Sequence, residues 1–247
     1  MLFVYQVFLK IKFWLKKKMT EQQKIVALIP VREGSERVRG KNFIPFSEGK
    51  SLLEIKIYAL KEADCFDHIY VSSDSERARN LAEENGVEFL LRAEKMCHAD
   101  MIWSNVVEHI METIPGNPLV SWALTTSPMF NNHKGAVDKF LEVQGEYDSL
   151  VAVKKTKSFF LNGHGRGVNL NPGHWHPYSQ QLEPWYEITG ACYIGRKSDM
   201  QNWKYWFGIN PFLFEIASAE SVDIDSKDDF RYAQLLYDAY KETKTIV

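Results

Sequence analysis

Cysteine is scarce in this chain of 247 residues: Cys65, Cys97 and Cys192 are odd in number and far apart. That excludes a disulfide framework and a cysteine-rich zinc site, and it fits a reducing, cytoplasmic compartment. An excess of either charge is missing as well, since 30 Lys plus Arg against 32 Asp plus Glu leave a formal −2. A general nucleic-acid binder carries a strong basic excess, so no nucleic-acid partner is expected. Long apolar runs are also absent, because spanning a bilayer takes roughly 20 uninterrupted residues. The nearest approach, MLFVYQVFLKIKFWLKKK at residues 1–18, is broken by Lys10 and Lys12. Its charges follow the apolar part, the reverse of a secretory signal. These residues read as an N-terminal extension ahead of a natural start at Met19, with an interfacial anchor or an extra helix as the alternatives. No membrane partner is expected.

What is present is an ordinary globular composition, 45% hydrophobic and 25% charged, enough for one large α/β domain over residues 19–247. Helical apolar spacing predicts helices over 51–63, 75–85, 101–114, 133–143 and 226–240, the last opened by a capping box of Ser226 and Asp229. Short β-branched and aromatic runs predict strands at 25–30, 68–72, 87–91, 119–125, 149–153, 189–195 and 222–225. Alternating strands and helices imply right-handed crossovers and a mostly parallel sheet covered on both faces. Ligands of such sheets collect beyond the carboxyl ends of the strands. Here those ends carry Pro30 to Arg32, Ser73-Asp74, Arg92 and Thr125-Thr126-Ser127, all polar or charged apart from the first two residues.

Two stretches carry chemistry. The first is IVALIPVREGSERVRGKN at residues 25–42, an apolar strand that turns into a basic, glycine-containing loop. Gly34 and Gly40 let backbone N–H groups approach an anion, and Arg32, Arg37, Arg39 and Lys41 supply charge, which suits a triphosphate. A basic solvated loop would look the same in isolation. The second is Asp223-Ile224-Asp225. Alternation along a strand would place both carboxylates on one face, where they could share a hard cation such as Mg²⁺. The competing reading makes Asp225 a helix N-cap and Asp223 an edge charge. The two stretches support each other, because a cation bridging phosphates is the usual companion of a phosphate loop.

Taken together these motifs resemble the acylneuraminate cytidylyltransferase family. IPVREGSERVRGKN is similar to that family's I-P-A-R-x-G-S-K-x-x-x-x-K-N signature, and VSSD at 71–74, TSP at 126–128 and VDID at 222–225 follow in the family's order. The resemblance implies a three-layer, Rossmann-like nucleotidyltransferase that couples CTP to an acidic 2-keto-3-deoxy sugar of the sialic-acid type, releasing pyrophosphate. It implies nucleotide binding by Arg32, Gly34, Ser35, Lys41, Asn42, Arg92 and Ser104, with Arg32 and Lys41 on the triphosphate. It implies one or two Mg²⁺ ions held by Asp223 and Asp225, and acceptor contacts from Thr126, Ser127, Tyr186 and Thr189. Arg32, Lys41, Asp223 and Asp225 are then the catalytic set.

The departures from the family pattern gather on the acceptor side. Glu36 stands where a Lys is common, Phe130 replaces the Arg of T-S-P-L-R, and Leu124-Thr125 replaces Gln-Pro. Tyr186 to Thr189 stands where R-P-N is common. These differences point away from N-acetylneuraminate as the acceptor. Between 154 and 188 the strand–helix rhythm stops, and Gly, Pro, Trp, Tyr and His164, His174 and His176 accumulate. Without an i, i+4 histidine pair or a nearby cysteine this is not a metal site by pattern. The resemblance makes it the segment through which family members form homodimers and help close a neighbour's sugar site. The competing readings are an octulosonate-activating relative, a metal-dependent glycosyltransferase, and a non-catalytic nucleotide-sugar-binding protein.

Overall fold

The computed structural model describes residues 23–245, apart from 35–36, 99, 172 and 174–175, and apart from the side chains of 242–245. Expectations for residues 1–18, Ser35, Glu36 and His174 lie outside the described residues. The chain begins with β1 (Ile25–Pro30), and four of its six residues are fully buried. Val26 and Leu28 point into one core layer while Ala27 and Ile29 point into the layer on the opposite face. That explains why this strand reads as a continuous apolar run: a strand covered on both faces has no side to give to water.

A small hairpin, β2 (Pro45–Ser47) and β3 (Lys50–Ser51), leads into α1 (Leu52–Glu62). Ser51 caps that helix in a complete capping box with Glu54. Then come β4 (His68–Ser73), α2 (Glu76–Glu84) capped by Ser75, and β5 (Glu88–Leu91). Next are α3 (Trp103–Thr113), β6 (Leu119–Trp122), α4 (His133–Val143) and β7 (Ser149–Thr156). The chain ends with β8 (Trp185–Arg196), α5 (Lys197–Trp203), β9 (Pro211–Glu215) and α6 (Lys227–Thr245).

The seven-stranded sheet has the order β5-β4-β1-β6-β8-β7-β9. β1 pairs in parallel with β4 and β6, and β8 alone runs against its neighbours β6 and β7. The chain first winds outward from β1 through β4 to β5, then returns to add β6 on β1's other edge. The sheet therefore changes winding direction around β1, and the ends of β1 and β6 splay apart there into a crevice.

Three expectations are corrected. Residues 222–225 are not a strand but irregular backbone, held by a hydrogen bond from Ile224 N to Thr126 O at 2.9 Å and by full burial of the Ile224 side chain. β9 was not anticipated; PFLFE is short and follows a Trp-rich turn, and it becomes a strand by pairing in parallel with β7. The irregular stretch is also shorter than 154–188, because β7 continues to Thr156 and β8 begins at Trp185, paired residue for residue. No described helix is long and apolar enough to cross a membrane.

Packing forces one titration. His133 opens α4 fully buried, edge-on to Phe130 at 4.8 Å between ring centres and near Phe66 at 6.5 Å. Neither ring nitrogen has a hydrogen-bond partner. Burial, and then the Lys56 ammonium, hold its pKa well below the usual 6.5. The unfolded chain binds a proton near 6.5 that folded His133 refuses, so its share of stability is present above that pH and is lost below it. That loss amounts to about 1.4 kcal/mol per pH unit once the unfolded imidazole is charged. Chemical denaturation of His133→Phe should show a shallower loss of stability than the parent between about pH 7 and pH 5. Equal slopes would contradict the burial argument.

Candidate active site

At the crevice between β1 and β6 lies a cleft of about 540 Å³. Its lining is of two kinds. Arg32, Arg37, Lys41, Asn42, Arg92, Thr125, Thr126, Asp223 and Asp225 form a polar part, and Met96, Met101, Trp103, Val106 and Leu124 form an apolar part. A second, open groove meets it at Arg32, Cys97 and His98 and is lined by Gly34, Arg39, Gly40, Asp74 and Arg77. Of the four cations expected around a triphosphate, Arg32, Arg37 and Lys41 therefore face the cleft, and Arg39 faces the adjoining groove.

The phosphate-loop candidate is a tight turn after β1. Lys41 N donates to Val38 O, and Phe43 N and Ile44 N both donate to Gly40 O. Gly40 has φ +64°, a left-handed conformation that a side chain disfavours, and this glycine is required for the turn. Gly34 has no such backbone demand and no close neighbour. Asn42 is 5% exposed and locks the loop to β6, accepting from Thr125 Oγ1 at 2.8 Å and donating to Arg32 O at 3.2 Å.

The carboxylates come from the other end of the chain. α6 docks on the β2–β3 hairpin through Phe46, which packs edge-on against Phe230 and Tyr237 at 5.3 and 5.6 Å. Ile224 belongs to that same apolar cluster, so docking α6 carries Asp223 and Asp225 to the cleft. Lys41 Nζ then donates to Ile224 O, between the two aspartates. Arg37 pairs with Asp225 at 2.8 Å in solvent. The cap role considered for Asp225 falls instead to Ser226 and Asp229, which form the reciprocal box that starts α6.

Burial perturbs both signs. Desolvation raises the Asp223 pKa and Asp225 adds to the rise, while a hydrogen bond from Thr126 and the charge of Lys41 oppose it. Desolvation also lowers the Lys41 pKa, opposed by Asp223 and Asp225. Two neighbouring groups that each lose water are ready to exchange that water for an incoming ligand's charge.

Arg92 is 3% exposed and donates to Val31 O and, through Nε, to Cys97 Sγ at 2.9 Å. Ser104 lies in the first turn of α3, but Trp103 and Met101 supply that part of the lining. Of the four acceptor candidates, Thr126 lines the cleft. Ser127 and Thr189 are buried, Thr189 donating to Ala152 O at 2.9 Å. Tyr186 donates to Glu215 at 3.1 Å on the β7–β8–β9 side. Sequence reasoning passed over Trp103, whose ring packs edge-on to Trp206 and Trp122 at 5.3 and 6.3 Å. The signal was an exposed tryptophan at the start of a helix that follows a strand end.

As a metal site the cleft offers two carboxylates, and among the described residues no group of three His, Cys, Asp or Glu could hold an ion. Two carboxylate donors fit Mg²⁺, which keeps several waters and takes its remaining ligands from substrate phosphates. They do not suit zinc, which prefers a closed nitrogen and sulfur set.

A mostly parallel α/β sheet with a cationic and acidic cleft at its switch point defines an α/β nucleotidyltransferase fold. The solved structure of a CMP:2-keto-3-deoxy-manno-octonic acid synthetase complexed with CTP superposes with a TM-score of 0.66 at 14% identity, covering 88% of this chain and 100% of that one. The family model for cytidylyltransferases matches residues 26–131. A pseudaminic acid cytidylyltransferase of Campylobacter jejuni is 27% identical over 232 residues, 89% of this chain and 99% of that protein. An N-acylneuraminate cytidylyltransferase of Streptococcus agalactiae is 26% identical over 216 residues, 84% of this chain. The chain spans about half the length of that relative, 52%. By sequence the chain is thus similar to cytidylyltransferases of acidic nine-carbon sugars, and its residues 26–131 match the cytidylyltransferase model.

Replacing Gly40 by Ala places a Cβ in open space, 4.0 Å from Ile44 Cγ2, so the cost is backbone strain alone. Gly40→Ala should lower unfolding stability by about 1 kcal/mol in urea titration. No loss would mean that the loop does not need its left-handed residue.

Proposed function

We propose that this chain is a CTP-dependent cytidylyltransferase whose acceptor is an acidic 2-keto-3-deoxy sugar of the nonulosonate class, with Mg²⁺ as its metal. The observation that carries the reading is the meeting of Arg32 and Lys41 with Asp223 and Asp225 at the switch point, within a cleft that also has an apolar wall. The relatives named for N-acylneuraminate and pseudaminic acid transfer support the substrate class. Bonds change at one phosphorus: the sugar's anomeric hydroxyl oxygen bonds to the α-phosphorus, and the α–β bridging bond breaks. Pyrophosphate leaves with that electron pair, and the hydroxyl proton is released.

In such a transfer the protein chiefly orients the reactants and stabilises charge. Arg32 and Lys41 would balance the triphosphate's charge, and Asn42, fixed by Thr125, would hold the loop in place around it. Asp223 and Asp225 would hold Mg²⁺, which when bound neutralises charge on the phosphates. The hydroxyl proton would pass to a carboxylate oxygen that the metal leaves free, or to water. Trp103 and Leu124 would exclude water from the apolar wall.

Homodimer formation through the segment between β7 and β8, and a cytoplasmic location, complete the proposal. Support for the dimer is the apolar surface displayed there, with Leu161, Val168 and Tyr178 at 63%, 49% and 77% exposure. Groups of exposed apolar side chains commonly mark interaction sites.

Calorimetric titration with CTP, UTP, ATP and GTP, each with Mg²⁺, tests the nucleotide, and CTP alone should bind in the micromolar range or better. A preference for UTP would overturn the reading. Lys41→Ala should weaken CTP binding at least tenfold, by about 1.4 kcal/mol, and CMP binding much less. Equal losses would remove Lys41 from the triphosphate. Light scattering of the full chain should give twice the chain mass, and a monomer at all concentrations would refute the dimer.

A further inference from the structure

Lys56 is completely buried. It lies on α1 at 0% exposure, and its Nζ donates to Ser127 O at 2.9 Å and Phe130 O at 3.3 Å. Its titratable neighbours are Cys192 on β8 and His133 on α4. Neither offers a counter-charge, because burial pushes the Cys192 thiol up to about 11 and leaves His133 neutral. Among the described residues Lys56 forms no ion pair. Desolvation accordingly lowers its own pKa to about 8. An apolar side chain of the same length would be easier to bury, so stability does not account for this lysine.

Its two acceptors explain it better. Both carbonyls belong to the 126–130 turn that leaves β6 for α4, the turn that also holds the acidic side of the cleft. Thr126 O accepts from Ile224 N at 2.9 Å, and the Thr126 side chain hydrogen-bonds to the Asp223 carboxylate. The preceding Thr125 donates to Asn42. Ser127 could have tied the turn with its own hydroxyl, but that oxygen is buried without a partner. The ammonium of Lys56 thus serves as the brace.

We infer that Lys56 is a positioning residue: by gripping the Ser127 and Phe130 carbonyls it holds Thr126 where Asp223 is aligned for metal binding and nucleotidyl transfer. The inference rests on the proposed nucleotidyl transfer. Lys56 touches no substrate, since it is closed off from the cleft. Its effect passes through the turn to a carboxylate, and a carboxylate displaced by a fraction of an ångström loses rate before it loses nucleotide.

The test is Lys56→Met, which keeps the apolar stem and removes the amine. Against the parent, kcat should fall about tenfold or more, because misplacing catalytic groups by about 1 Å costs up to a hundredfold. KM for CTP should stay within about twofold, since Arg32 and Lys41 are untouched. The Mn²⁺ concentration giving half-maximal activity should rise several-fold, and the melting temperature should fall by no more than a few degrees, since two buried carbonyls lose their donor. Unchanged kcat and Mn²⁺ dependence would overturn the inference. So would a loss of activity that merely tracks a fall in melting temperature. If Lys56→Met is insoluble, Lys56→Gln, a shorter donor, is held to the same expectations. If the parent itself turns over no CTP, the functional reading fails. Mn²⁺ affinity by paramagnetic resonance then decides the inference, and equal affinities in parent and variant overturn it.

Discussion

The backbone of Ile224 is the tie on which the cleft depends. Its N–H is held by Thr126 O after β6, its C=O receives Lys41 from the loop after β1, and its side chain is sealed into the cluster around Phe46. Three parts of the chain, separated by roughly a hundred residues each, meet at one peptide unit. The hydrogen bonds aim the segment and the buried side chain supplies the driving force, since enclosing an isoleucine contributes about 1.5–3 kcal/mol. Asp223 and Asp225 flank this unit, so they stand in the cleft because the residue between them cannot leave the core.

The electrostatics follow from that placement. Four cations and two carboxylates share a partly dry cleft, and each sign offsets part of the other's lost hydration. Lys41 is pulled down by burial and up by the aspartates, and Asp223 is pushed up by burial and down by Lys41 and Thr126. The exposed Arg37–Asp225 pair is weakly held, as surface pairs are, and can open at little cost. A polyanion accompanied by a divalent cation would satisfy both signs at once, and that combination suits the cleft better than either ion alone.

The protein keeps its rigid and adaptable parts separate. The bases of β1 and β6 are dry on both faces, and the buried Lys56, Ser127 and His133 make the turn beyond β6 part of that rigid layer. The apolar wall at Trp103 is only half covered, and the segment between β7 and β8 displays its apolar groups. The strand ends that carry Arg32 and Asn42 are thus built on close packing, and the Trp103 wall and the β7–β8 segment on aromatic surface and turns. Of the motif departures, Phe130 is buried within the rigid turn, while Leu124 lines the cleft and Tyr186 lies on β8.

By itself the sequence determined the order and type of most elements, because parallel strands buried on both faces write themselves as apolar runs and capped helices announce their first turns. It also marked out the phosphate-loop candidate, since Gly40 and the cations around it sit within a few positions of one strand end. Asp223-Ile224-Asp225 was recognised for the wrong local reason: strand alternation was expected, but the segment is irregular and its geometry is imposed by Ile224's burial against α6 and Phe46. β9 was invisible because a five-residue strand exists only by virtue of its partner. Lys56 reads as one more charge on a helix until the fold encloses it, and the hydrogen bond of Tyr186 to Glu215 arises only once β8 and β9 both flank β7. Local propensity and hydrophobic period are properties of neighbours in sequence. Burial, desolvation and the partners of a buried amine are set by residues far away along the chain, and only the tertiary structure decides those.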